Sequence, residues 1–232
     1  MILYLSIVFI AIAAISVLNI FLGNFAFDYS AIWIICAVVL SVIAEIAIQG
    51  IIATIVKHMP NKWFAHDKKL FKISKKERNF YEKLKIRSWK DKVWELGALG
   101  GFRKNKIADP NNPEYLLQFV VESNKGVTDH VVGIVFGFLV IFILPLKYAL
   151  VIGLPVALVN MLLCTLPTMI LRYNIPKLMV AYERARRTLE FQKKKEEASK
   201  LEQKTEEKIE EKTEEVEDNK TENTEPKTEE SV

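Results

Sequence analysis

Glu122-Ser-Asn-Lys-Gly-Val-Thr-Asp-His130 is a polar run that ends where Val131-Val-Gly-Ile-Val-Phe-Gly-Phe-Leu-Val-Ile-Phe-Ile-Leu144 begins. This junction decides the fold, because water-soluble chain gives way within one residue to a segment suited to lipid. His130, one of three histidines, falls on the boundary, where a group able to take a proton near pH 7 would meet membrane-borne molecules. Thr128 or Asp129 reads as the cap of a helix starting there, whose positive end would keep His130 neutral and basic. Glu122 reads as the carboxylate that orients it. Eight residues of straight helix would hold the two about 12 Å apart, so contact requires a bend, for which Gly126 is suitably placed. Taken alone, the run fits a capped helix start with a solvated histidine better than a catalytic pair.

Working outward, the 232-residue chain is 50% hydrophobic yet 26% charged, and the two populations are segregated along it. That pattern belongs to membrane proteins with soluble parts. Residues 1–22 and 31–56 are each apolar over roughly 20 residues or more, enough to cross a hydrocarbon core. Residues 131–171 are apolar except for Lys147 and admit two crossings with a turn near Pro145-Leu-Lys-Tyr148. Because 131–144 is short for a crossing, a full hairpin and a re-entrant one both stay open. The first stretch lacks the basic leader and small-residue cleavage site of a signal peptide, so it reads as a retained anchor. Cys36 and Cys164 both fall inside apolar spans, which argues against a disulfide or a metal site.

Charge sets the expected orientation. Residues 57–130 carry 17 Lys and Arg against nine Asp and Glu, and the positive-inside rule places such a loop in the cytoplasm. The basic residues after Leu171 agree. The expectation is an all-α, multi-pass protein of the cell membrane with four transmembrane helices, a cytoplasmic basic amphipathic insert and both termini in the cytoplasm.

Within the second span, Glu45 and Gln49 share a helix face. Such a carboxylate is either a functional group or a protonated or interhelically hydrogen-bonded one. The insert begins with Pro60-Asn-Lys-Trp-Phe64, an interfacial aromatic cluster. Ser74-Lys-Lys-Glu77 fits a capping box and Ser88-Trp-Lys-Asp91 a weaker one, each opening a short basic helix suited to an anionic lipid surface. Gly97, Gly100 and Gly101 introduce a loop with Arg103, Lys104 and Lys106. A further helix is expected from Glu114 to Val121. The last span holds Pro155, Asn160 and Pro167, an irregular stretch able to line a cavity. Pro176 is expected to end it, with Asn174 as the left-handed cap. Residues 172–192 read as a basic helix. Residues 193–232, with nine Lys against 15 Asp and Glu, read as a solvated helix, with coiled-coil-like composition, grading into disorder.

Topology would bring Arg172 and Tyr173 to the same interface as His130. Together Pro60-Asn-Lys-Trp-Phe64, Ile86-Arg-Ser-Trp-Lys-Asp-Lys92, Glu122 with His130, and Arg172-Tyr-Asn-Ile-Pro-Lys-Leu178 resemble the glycosyl-4,4'-diaponeurosporenoate acyltransferase family, over about residues 57–178. The resemblance implies transfer of a fatty acyl group to a sugar hydroxyl of a glycosylated carotenoid or related glycolipid. It implies Glu122 and His130 as catalytic residues and Arg87, Trp89, Lys90, Arg172, Tyr173 and Asn174 as substrate-binding residues. No bound cofactor or metal is expected, and acyl-CoA is the expected donor. The partners are then a membrane lipid or glycosylated isoprenoid acceptor and the donor, with a homo-oligomer left open. Nucleic acid is not expected, because the flanking spans already account for the basic, aromatic insert.

Other chemistries lack their motifs. Five residues beyond His58, His66 and His130 stand Trp63, Phe71 and Val135, so the His-x4-Asp pattern of glycerolipid acyltransferases is missing. There is no Gly-x-Ser-x-Gly elbow and no Gly-rich phosphate loop. The competing class is a non-catalytic scaffold whose basic loop binds lipid and whose tail binds a partner.

Overall fold

A computed structural model describes residues 2–26, 30–93, 107–145 and 148–222. Among them every regular element is a helix or helical turn. Four helical stretches are long and apolar enough to cross a membrane, Leu5–Leu22, Ala31–His58, Pro113–Phe142 and Ala149–Thr205. Met1–Glu183 forms one compact unit and Arg184–Val232 another.

In the first unit, α1 (Ile2–Ala26) and α2 (Ala31–His58) are predominantly apolar helices, interrupted by Asn19 in the first and Glu45 and Gln49 in the second. Ser30 caps α2, its hydroxyl accepting from the Trp33 N–H. The expected bare anchor at α1 is corrected by Asn19, whose amide donates to the Val151 carbonyl at 2.8 Å and to that of Ile15. The reason lies at Pro155. It has no N–H to offer the carbonyl four residues back, so Val151 is free to accept, and in an apolar interior it needs a donor. Ile15, Val38, Val140 and Ile152 close the core around this contact.

After α2 the chain makes turns at Asn61–Phe64 and Lys69–Phe71, then α3 (Lys75–Lys83) and α4 (Ile86–Trp89). Ser74 caps α3 as expected, accepting from the Glu77 N–H. The second capping box does not form. Lys85, in the left-handed region at φ 51°, starts α4, and the Ser88 hydroxyl donates to the Lys85 carbonyl from inside it. The Gly97–Lys106 loop lies outside the described residues.

The largest correction concerns the polar run. α5 (Pro113–Gly137) passes unbroken from the insert into the apolar segment, started by Asn112, which accepts from the Glu114 and Tyr115 N–H groups. Residues 122–130 are therefore helix interior. Neither Thr128 nor Asp129 is a cap, and the Thr128 hydroxyl donates back to the Asn124 carbonyl. Neighbours meet part of its polar groups: Asn124 donates to the Phe64 carbonyl at 2.8 Å, and Lys125 donates to the Lys57 carbonyl at the end of α2, while the Asn124 and Asp129 Oδ1 atoms are buried without a hydrogen bond. The stretch long and apolar enough to cross a membrane is therefore Pro113–Phe142, which takes in residues preceding Val131.

A 3₁₀ stretch at Phe138–Phe142 and a turn at Pro145 follow, the Pro145 carbonyl accepting from Tyr148 and Ala149. A wide π-type turn at Ala149–Gly153 then enters α6 (Leu154–Glu222). This helix runs through Pro167 and Pro176, so Asn174 is not a cap and Pro176 not a stop. Each proline removes one hydrogen bond, and the flanking apolar and Lys/Glu segments propagate the helix on both sides. In the second unit, side chains 186–205 are exposed, with Arg186 paired to Glu190 at 3.3 Å. The expected disordered end, 223–232, lies outside the described residues.

Candidate functional site

Glu77 organises the site. As the third residue of the Ser74 cap it sits in the first turn of α3, and its carboxylate reaches across to α6. Arg172 donates to it in fork geometry, Nη2 to Oε2 at 3.0 Å and Nε to Oε1, while Nη1 donates to the Leu70 carbonyl at 3.2 Å. The Tyr81 hydroxyl, one turn along α3, donates to the same carboxylate at 2.6 Å. The Arg172 guanidinium holds the Glu77 carboxyl below its ordinary value. Burial, followed by the hydrogen bond to Glu77, pushes the Tyr81 phenol up to about 12, so it stays a proton donor at every physiological pH.

Behind this triad, Tyr81, Ile86 and Ile170 form a buried cluster flanked by Trp89 and Tyr173. The Trp89 indole donates to the Leu84 carbonyl at 3.0 Å, so it braces α4 beneath Tyr173. Lys177 lies over the Tyr173 ring, 3.7 Å from its centre. A cleft of ≈ 280 Å³ opens here, bounded by Arg78, Tyr81, Arg172, Tyr173 and Lys177.

The structure therefore brings Trp89, Arg172 and Tyr173 together. Asn174 is half-buried inside α6, Arg87 is exposed, and Lys90 lies 4.0 Å from Asp91. Glu122 and His130 are not brought together. Without a bend in α5 they remain two turns apart, about 12 Å, and Glu122 pairs instead with Lys125 at 3.3 Å. Gly126 lies within the unbroken helix and serves a close contact: a Cβ there would lie 2.9 Å from the Leu171 side chain. His130, half-buried, is one turn farther along nearly the same face, about 6 Å deeper than the level of Leu171.

Deeper in the bundle, Gln49 donates to the Gly133 carbonyl at 3.0 Å and to the Asn160 side-chain oxygen at 3.2 Å, with Glu45 at 3.5 Å. Asn160 also donates to Gly133 at 3.3 Å. Glu45 is buried, and its hydrogen bond is to Gln49 one turn along the same helix, so it is Gln49 that joins α2 to α5 and α6. The second Glu45 oxygen makes no hydrogen bond. A Cβ at Gly133 or Gly137 would collide with these side chains. The Gly-x-x-x-Gly spacing at 133 and 137 is the sequence signal for this approach. Glu77 carried a signal only as a capping residue, and nothing in the sequence announced that it would meet Arg172, 95 positions away.

Among the described residues no group of three His, Cys, Asp or Glu side chains could hold a metal ion. No curated protein and no solved structure matches the chain. A model of the glycosyl-4,4'-diaponeurosporenoate acyltransferase family matches residues 60–184, the segment that carries Glu77, His130 and Arg172. Because that match covers more than half of its 232 residues, the chain belongs to the glycosyl-4,4'-diaponeurosporenoate acyltransferase family.

Proposed function

We propose that the protein moves a fatty acyl group from acyl-CoA to a sugar hydroxyl of a glycosylated carotenoid or related glycolipid, at the cytoplasmic surface of the cell membrane. The observation that carries this reading is the Glu77–Arg172–Tyr81 cluster beside a cleft, built within the family-matched segment at the polar end of apolar helices. A water-soluble donor and a membrane-embedded acceptor can both reach such a position.

In the proposed reaction the sugar oxygen attacks the thioester carbonyl while His130 takes its proton. The carbon–sulfur bond then breaks, and the departing thiolate receives the proton back. General-base help of this kind contributes about 10² to 10⁴ in rate. Arg172 spends three N–H groups on Glu77 and Leu70, and a guanidinium has five. The remaining two can support the oxyanion. Glu122, bonded to Lys125, has no part in orienting His130 in this scheme.

The test is lipid and pigment mass spectrometry on cells that contain a glycosylated carotenoid and express wild type or His130→Ala at matched membrane abundance. An acylated product found only with wild type supports the reading. Indistinguishable profiles in the presence of the acceptor remove His130 as the base and favour a scaffold.

A further inference from the structure

The cleft beside Arg172 has more positive charge than its own carboxylates neutralise. Arg172 is matched by Glu77 in a forked ion pair, with side-chain exposures of 16% and 23%. Arg78 is matched only by Glu82, through an exposed bond of 3.3 Å one turn away. Exposed pairs of this kind are weak and exchange readily for a better anion. No carboxylate of the described residues pairs with Lys177. Its ammonium is instead held over the Tyr173 ring at 3.7 Å, a contact that leaves its N–H donors available. Ile73 and Val180 give the same cleft an apolar wall.

We propose that Lys177 and Arg78 form a phosphate-binding site, and that its ligand is an amphiphile whose phosphate meets these two cations while adjoining apolar atoms lie against Ile73 and Val180. The fork of Arg78 and the point-charge ammonium of Lys177 are complementary ways of holding one phosphate. Arg172 frames the site, because its charge is already compensated. A volume of ≈ 280 Å³ admits a phosphate with a short adjoining segment and leaves the rest of a larger ligand outside. Two molecules carry that chemistry here, the nucleotide end of the acyl donor and an anionic phospholipid headgroup. The donor arm rests on the acyl-transfer reading.

The test uses the full-length protein in phosphatidylcholine nanodiscs titrated with CoA, and in a second set of discs containing phosphatidylglycerol with co-purifying lipid counted by mass spectrometry. The variants are Lys177→Gln, Arg78→Gln and the charge-conserving Lys177→Arg, with Lys195→Gln in the exposed tail as control. Weakening of CoA binding by about tenfold in both Gln variants, retained in Lys177→Arg, supports the site with the donor as ligand. CoA binding untouched, with phosphatidylglycerol retention falling severalfold in both Gln variants, supports it with a lipid headgroup. Both ligands held as by wild type, with all variants melting like wild type, overturns it. Acylation is measured separately: a protein that acylates normally while neither variant alters either ligand loses this inference alone.

Discussion

Glu77→Gln removes one charge from the cluster that fixes α3 against α6 while keeping the side chain's size. The Arg172 guanidinium would then lie only 16% exposed without an anion. Breaking a fully buried ion pair by deleting one partner costs about 3–5 kcal/mol. Residual exposure screens part of that here, and the amide oxygen can still accept one bond, so the expected loss is about 2 kcal/mol. The assay is reversible denaturant unfolding of the full-length protein in mild detergent, followed by tryptophan fluorescence, for Glu77→Gln, Arg172→Gln and the double variant. A coupling of about 1–2 kcal/mol between the two positions is expected. The pH dependence gives an independent reading. The folded Glu77 carboxyl titrates below its ordinary 4.5, so its contribution is complete above that value and disappears as the pH falls through the lower folded value. Tyr81 has the opposite sign: raised from 10 to about 12, it contributes below pH 10 and loses that contribution as the pH rises through 12. Glu77→Gln should therefore flatten the acid limb of the stability profile. Additive single losses, or an acid limb identical to that of wild type, would refute the reasoning.

Glycine substitutions separate backbone contact from side-chain contact. A Cβ at Gly153 would sit 2.8 Å from the Ile141 Cα, whereas one at Gly126 would meet only the end of the Leu171 side chain at 2.9 Å. Backbone cannot rotate away, so Gly153→Ala should cost about 2 kcal/mol or more and Gly126→Ala about 1 or less; equal melting temperatures for the two would count against this packing. Asn19→Leu leaves the Val151 carbonyl without its donor and should cost about 1 kcal/mol. Detergent-melting data showing no loss would mean that this bond does not hold α1 to the bundle.

The apolar spans, the turn at Pro145 and the helical tail were legible in the sequence, because each depends on local composition and on backbone hydrogen bonds that lipid forces to be satisfied within the segment. The family was equally legible, and its model matches residues 60–184. The continuity of α5 was not. A run such as Glu122–His130 looks like a loop by polarity, yet it lies inside α5, where Asn124 and Lys125 meet the Phe64 and Lys57 carbonyls and Gly126 faces the Leu171 side chain. Local rules also misjudged Pro176, which is tolerated because a single lost hydrogen bond is small beside the helix on either side.

Sequence by itself determined that this chain has stretches long and apolar enough to cross a membrane and which family it resembles. Tertiary structure alone decided which of its polar groups meet. Glu77 and Arg172 are 95 positions apart, and only the packing of α3 on α6 makes them partners. Glu122 and His130 are eight apart, and an unbroken helix keeps them separate. Sequence distance fixes spacing along one helix, whereas contact between helices depends on faces, depths and small residues that only the assembled bundle sets.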